Sequence, residues 1–333
     1  MRHLATATLL LNLTAIFAPC GALAATRYVP TTYATIQSAI NASASGDVVS
    51  VGPGTYMENV SIKNGVTLQG AGMGVTIING KAITYAIYVP GGASSATKIL
   101  DLTVTNGKAS LGGGIKADNG NGCEIRRVDV RGNVATSKGG GIYVGLNSTT
   151  KIAECVIYGN KANYGGGLYL QTSGSQVEYN LICNNTALVG GGGIYTGFDH
   201  SAIIWNTIDG NSSPGGGAGA AFSQSSVDVH TTIFSNNSGG YGLWTNSPIL
   251  EMCNDFWANG LGGMSGQSPH STDQFLDPLF CDRPNHDLQL NFASPCVSGA
   301  CEKQVGALGP ACGAQPPAGT EAKSWGEVKG LFR

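Results

Sequence analysis

A glycine-rich signature returns along this chain at a nearly constant interval. Gly-Gly-Gly-Ile ends at Ile115. It recurs as Gly-Gly-Gly-Ile-Tyr with Ile142, as Gly-Gly-Gly-Leu-Tyr with Leu168 and as Gly-Gly-Gly-Ile-Tyr with Ile194. A degenerate copy places Ala220 in the same register. The steps are 27, 26, 26 and 26 residues. A second marker runs out of phase with the first, an aliphatic residue followed three positions later by Asn. It pairs Val130 with Asn133, Ile157 with Asn160, Ile182 with Asn185, Ile208 with Asn211, and Ile233 with Asn236. Two markers sharing one period define a repeat, and a repeat of this length means a stacked architecture.

The repeat unit is built from strands. Gly141-Ile142-Tyr143-Val144 and Lys151-Ile152-Ala153-Glu154-Cys155 alternate apolar with other residues over four or five positions, the period-two pattern of a half-buried strand. Gly or Asn separates the stretches, and both tolerate the left-handed backbone of tight corners. No helical period runs through the repeats, and the L-x-x-L-x-L core of leucine-rich repeats is absent. Two or three short strands per turn of about 26 residues fit the coil of a parallel β-helix. Stacking would align Ile142, Leu168 and Ile194 as an inward ladder with rungs about 4.8 Å apart. Asn133, Asn160, Asn185, Asn211 and Asn236 are expected to form a structural amide ladder at one corner.

The ends of such a solenoid need covering. Ile36 and Ile40, with Tyr33 one turn earlier, mark an amphipathic capping helix, for which Thr31 or Thr32 would cap the start and Gly46 the end. Beyond residue 260 the repeat stops, and Cys, Pro and aromatic residues rise. The chain thus divides into a leader at 1–25, an N-terminal cap at 26–48, the β-helix at 49–260, a Cys-rich C-terminal cap at 261–312, and a linker with a short tail at 313–333. The leader has Arg2 and His3, a mostly apolar run from Leu4 to Phe17, and Ala22-Leu23-Ala24 before the cleavage point, the layout of a secretory signal. No later stretch is long and apolar enough to span a bilayer as a helix.

Export makes disulfides permissible. Of nine cysteines, Cys20 falls in the leader. Cys253, Cys281, Cys296, Cys301 and Cys312 crowd the last third and are the disulfide candidates, with the pairing open. Cys123, Cys155 and Cys183 are read as buried thiols. Charged residues make up 11% and the net charge is −2, which excludes the basic face that nucleic acid requires.

Several features resemble the right-handed parallel β-helix superfamily with the pectin-lyase-like fold. Tyr33-Ala34-Thr35-Ile36-Gln37-Ser38-Ala39-Ile40, Gly46-Asp47 and Val51-Gly52-Pro53-Gly54-Thr55-Tyr56 are similar to the opening of its secreted bacterial members. Asp277-Pro278-Leu279-Phe280-Cys281-Asp282, Ser294-Pro295-Cys296 and Gly306-Ala307-Leu308-Gly309 are similar to their ending. The Trp325-Gly326 and Val328-Lys329 tail also resembles endings of such proteins. The resemblance implies an all-β, single-stranded, right-handed parallel β-helix. It implies no single chemistry, because one fold hosts many.

The superfamily's pectate lyases hold Ca²⁺ on clustered carboxylates and use an Arg as base. Asp129 and Arg131, alternating with Val128 and Val130 and so both pointing outward, are the lyase-like candidates. The polygalacturonase signature Asn-Thr-Asp is interrupted here as Asn206-Thr207-Ile208-Asp209, and no Asp-Asp pair is present for hydrolysis. Asp228 and His230 share a strand face and could tune a general base. Trp205 lies 25 residues earlier and would neighbour His230 in the stack. With the outward tyrosines Tyr143, Tyr169 and Tyr195, it supplies the candidate sugar-binding aromatics. The glycine-rich repeats also resemble those of outer-membrane adhesins. The sequence therefore reads as a secreted or cell-surface protein, non-catalytic, presenting a rigid face to a polysaccharide or cell-surface glycan without a cofactor. The alternative is a lyase, epimerase or hydrolase of atypical site, which would use Ca²⁺ if lyase-like.

Overall fold

The structure, a computed structural model, describes residues 23–298, 301 and 303–313. The leader as far as residue 22, and the linker and tail beyond 313, lie outside the described residues. What is described is a parallel β-solenoid, right-handed by family, with one short α-helix.

One coil shows how the repeat works. Strand Lys151–Ala153 turns at Glu154 (φ 55°) into strand Val156–Tyr158. Gly159 (φ 62°) turns it into Lys161–Tyr164, and Gly165 (φ 61°) into Leu168–Gln171. Thr172 (φ 44°) closes the coil. The first two strands belong to one 17-stranded sheet bent at its middle, the third to a 4-stranded sheet and the fourth to a 9-stranded sheet. Apart from the outer covering described below, the strand pairings are parallel and join one coil to the next.

The glycine triplets serve two purposes. Gly139 has φ 65°, a conformation that side chains adopt with strain. Gly140 and Gly141 have no room instead. A Cβ on Gly140 would stand 2.4 Å from Gly166 O, and one on Gly141 would stand 2.7 Å from Gly167 O. At Gly140 and Gly141 the coils approach too closely for a side chain, whereas Ala218 takes the equivalent position of the degenerate copy.

Inside, the apolar columns are continuous. Ile115, Ile142, Leu168, Ile194 and Ala220 pair in register, and all are 0% exposed. Ile99, Ile125, Ile152, Val177, Ile203 and Val229 line a second column, which ends where Val229 pairs with buried Glu251. The amide ladder runs Asn133, Asn160, Asn185, Asn211, Asn237, Asn259. Each Nδ2 donates to the next Oδ1, at 2.8–3.1 Å. Asn236 stands outside it, which corrects the residue expected from the sequence. Phe234, not Ile233, fills the inward slot of that coil, pairing with Ile208 and Phe256. The ladder position three residues on is therefore Asn237. Asn236 takes the left-handed corner (φ 53°) and donates to Asp209. A second ladder, from Asn180 to Asn206, lines the bend of the large sheet.

The capping helix spans Ile36–Ala42 and buries Ile36, Ala39 and Ile40. Its N-cap is Thr35, which makes a reciprocal capping box with Ser38. Glu58 accepts from Ile36 N and Gln37 N, filling two more of the unpaired donors of the first turn. The start expected at Thr31 or Thr32 is displaced because Thr32 N and Tyr33 N both donate to Tyr28 O, holding a turn there. The C-cap is Ser43 rather than Gly46.

The Cys-rich C-terminal region divides in two. Residues near Phe275 close the end of the solenoid, with Phe275 stacked on Phe256 at 5.8 Å. The chain then folds back along the outside of the large sheet. Leu288, Ala307 and Leu308 cover Val156, Leu181 and Cys183, while Leu290, Cys296 and Val305 cover Ile233. Gly306 N donates to Thr231 O, Ala307 N to Thr207 Oγ1, and Arg283 pairs with Asp209. Disulfides join Cys253 to Cys301 and Cys281 to Cys312. Cys296 stays a thiol, buried beside Asp255, and so leaves the set of disulfide candidates. Cys123, Cys155 and Cys183 are buried thiols, and burial pushes Cys123 and Cys155 up to about 12. No helix among the described residues is long and apolar enough to cross a membrane.

Candidate functional site

Outward positions of the large sheet carry most of the charged side chains of the repeats. On its first strands the outward column reads Lys98, Glu124, Lys151, Gln176, Ala202, Asp228. The next outward column holds Arg126 and Glu178, and the left-handed bend that follows presents Asp101, Arg127, Glu154, Tyr179 and Trp205. Successive coils bring these side chains within reach of each other, and they pair across the rungs. Lys98 Nζ meets Glu124 Oε2 at 2.7 Å, and Arg127 Nε meets Asp101 Oδ1 at 2.5 Å. Arg126 pairs with Glu154, and Lys151 with Glu178. Lys98 holds the Glu124 carboxyl below its usual range, and the Arg127 and Gln69 hydrogen bonds outweigh burial to do the same for Asp101.

Beside this lattice runs an open groove of about 560 Å³, parallel to the solenoid axis. Its walls are Ser95, Lys98, Gly122, Glu124, Thr149, Lys151, Gly174 and Gln176. Four coils each contribute one small corner residue and one longer sheet residue. A Cβ on Gly174 would meet nothing within 4 Å. None of the groove residues figured among the sequence candidates. Their signal was present as a polar residue preceding each buried aliphatic: Lys98-Ile99, Glu124-Ile125, Lys151-Ile152, Gln176-Val177.

The sequence candidates are dispersed. Asp129 and Arg131 form an ion pair at 3.2 Å on the outer face, as their alternation requires. Asp129 nevertheless is 1% exposed, because its strand neighbour Val156 lies beneath Leu288, Ala307 and Leu308. Burial raises its carboxyl to about 6. A polymer cannot reach it. Asp228 and His230 lie four rungs further along and share their strand face, but no hydrogen bond joins them among the described residues. Burial holds the His230 imidazole below its usual range, against the opposing charge of Asp228. The two pairs do not converge.

The aromatic candidates also separate. Trp205 stacks on Tyr179 with centroids 5.0 Å apart and meets His230 edge-on at 6.4 Å. The Tyr179 and Trp205 rings lie nearly parallel, 9° apart, while the His230 ring stands across Trp205. Tyr143, Tyr169 and Tyr195 stack similarly on the 9-stranded sheet, at 5.8 and 5.3 Å. Tyr143 and Tyr169 are only 5% and 4% exposed, with Lys138 over Tyr169. Their faces are occupied, so they stiffen the sheet rather than offering a platform for a sugar ring. Tyr195 is half-buried and meets Tyr164 edge-on.

Among the described residues, no three His, Cys, Asp or Glu side chains gather as a metal-binding group. Asp101, Glu124, Glu154 and Glu178 are each committed to a Lys or Arg, so they do not fit the six to eight oxygen donors of Ca²⁺.

The buried acids under the C-terminal segment make stability depend on pH. Burial raises Asp255 to about 7, with Asp277 adding to the effect. A carboxyl raised above its unfolded value keeps its proton when folded, at a pH where the unfolded chain has lost it. Stability therefore falls as pH rises from about 4 to about 7. Asp255→Asn is expected to remove about 2–3 kcal/mol of the fall between about pH 5 and about pH 8, read by denaturant titration at both. An equal fall in the variant would show that Asp255 is ionised in the folded chain.

The family described as "Right handed beta helix region" matches residues 85–256. Among solved structures, the chain is similar to a pectin methylesterase from Aspergillus niger in deglycosylated form. The identity is 14% and the TM-score 0.35, covering 79% of this chain and 93% of that one. It is also similar to the A-module of a mannuronan C-5 epimerase from Azotobacter vinelandii. There the identity is 14% and the TM-score 0.33, covering 73% and 94%. No curated protein matches the chain.

Proposed function

Because this chain belongs to the right-handed β-helix family, its function resides in what its outer faces present, and we propose that it is a non-catalytic polysaccharide-binding protein that works outside the cell. The binding face is the outer side of the large sheet along the groove from Ser95 to Gln176. The observation that carries this reading is the commitment of the carboxylates there. Asp101, Glu124, Glu154 and Glu178 each hold a Lys or Arg of a neighbouring coil. General acid–base work needs a carboxylate or imidazole free to exchange a proton with substrate, whereas hydroxyl recognition needs fixed donors and acceptors on a rigid support. The two disulfides support an oxidising location.

The test is retention without turnover. The protein is expected to be retarded by polysaccharide in a native gel. It should yield neither the ultraviolet absorbance of an unsaturated sugar nor new reducing ends after prolonged incubation. Product formation that is lost in Asp129→Asn or His230→Ala would contradict the proposal and establish an enzyme.

A further inference from the structure

We infer that the axial groove selects an uncharged polysaccharide, lying lengthwise along the coils, over a uronate polymer. The inference rests on the binding role proposed above and adds the chemical class of the ligand.

Charge balance is the first ground. The cations of this face are Lys98, Arg126, Arg127 and Lys151, and the carboxylates are Asp101, Glu124, Glu154 and Glu178. They are equal in number and paired one to one. Glu124 also stands 3.9 Å from Arg126, and Glu154 stands 3.9 Å from Arg127, so the pairs merge into one neutral lattice. A uronate polymer brings one negative charge per residue. It would have to displace a protein carboxylate from its cation or lie against it, and like charges brought together on a partly desolvated face are repelled. Further along the same column Asp228 is exposed, which adds to the repulsion.

Groove chemistry is the second. Ser95, Thr149 and Gln176 offer neutral donors and acceptors. The Lys and Glu side chains have hydrogen-bonding capacity beyond their mutual contacts, suited to sugar hydroxyls. Gly174, where a Cβ would meet nothing within 4 Å, leaves the corner side of the groove open at its end, so a pyranose ring can approach the backbone there.

Spacing is the third. Four coils line the groove, and rungs about 4.8 Å apart give it a repeat close to the advance of an extended hexopyranose chain per residue. Its length of about 14 Å suits three or four sugar units in one orientation. A chain laid across the coils would meet no such repeat.

The experiment uses the full chain in affinity electrophoresis and calorimetry. The ligands are neutral polymers (xylan, galactomannan, mixed-linkage glucan) and uronate polymers (polygalacturonate, alginate), each at low and raised salt. Two variants accompany the parent. Gly174→Tyr fills the groove at a position with open space and no left-handed backbone. The double variant Glu124→Gln with Glu178→Gln frees Lys98 and Lys151. At least one neutral polymer is expected to bind about tenfold or more tighter than either uronate, with little salt dependence. Gly174→Tyr should lose that binding about tenfold or more, and the double variant should gain salt-sensitive uronate binding. Tighter binding of a uronate that Gly174→Tyr abolishes would overturn the selectivity while leaving the groove as the site. Binding of no polymer, or binding indifferent to Gly174→Tyr, would overturn the groove itself and the selectivity with it.

Discussion

Replacing Asn211 with alanine is expected to destabilise the protein by about 3–5 kcal/mol, although the residue touches no ligand and lies far from any chain end. Its Oδ1 accepts from both the backbone N and the Nδ2 of Asn185, at 3.0 Å each. Its Nδ2 donates to Ile182 O at 2.8 Å and to Asn237 Oδ1 at 3.1 Å. Removing the amide strands a backbone N–H and a carbonyl where water does not reach, and each such group costs about 1–3 kcal/mol. The ladder also passes the loss along, since Asn237 and Asn185 each lose a partner. Asn236→Gly is the companion measurement. Asn236 occupies a left-handed corner that glycine adopts freely, and its amide makes one bond, to Asp209. Its cost is expected to stay near 1 kcal/mol. Urea unfolding midpoints of the two variants compare them directly. Equal losses would contradict the placement of the ladder at Asn237.

Cys301→Ser should produce the second large effect, a loss of about 3–4 kcal/mol together with new apolar surface. The Cys253–Cys301 bond ties the returning segment to the solenoid over a separation of 48 residues, whereas Cys281–Cys312 closes the segment on itself. Without the tie, the apolar packing of Leu288, Leu290 and Val305, the hydrogen bonds at Gly306 and Ala307 and the Arg283–Asp209 pair must hold the segment. Opening would expose Val156, Leu181 and Ile233, now 2% exposed or less. Binding of a hydrophobic dye should rise, and amide exchange should quicken across residues 279–312 before the solenoid itself unfolds. A variant with unchanged dye binding and exchange would show that the outer cover does not depend on the disulfide.

How much of this was legible in the sequence differs from element to element. The solenoid was legible because its cause is periodic. A coil that buries Ile142 must be matched by one that buries Leu168, and glycine must recur wherever backbones crowd. The amide ladder was legible to within one residue. Its marker presumed an aliphatic inward residue, and Phe234 took the inward slot while Ile233 turned outward. The fold-back was not legible as topology, because no local rule fixes where a chain returns after the repeats stop. A trace remained in Val156-Ile157, Leu181-Ile182 and Ile233-Phe234, where adjacent apolar residues require a cover on both faces. Asp129 was misread as accessible for this reason. Alternation gave its direction correctly and said nothing of what lies over it. The groove escaped notice because its residues are ordinary polar side chains, and they acquire meaning only when stacking sets Lys98, Glu124 and Lys151 in line.

Amine-reactive labelling of the lysines, read by mass spectrometry with and without bound polysaccharide, tests most directly whether this face is the working surface. Lys98 and Lys151, with side chains 40% and 39% exposed, are expected to label measurably alone, more slowly than an unpaired lysine, and to be shielded by the polymer. Lys108 and Lys161, exposed on the 4-stranded sheet, should label equally in both states. Shielding of Lys108 and Lys161 with Lys98 and Lys151 unchanged would contradict the account.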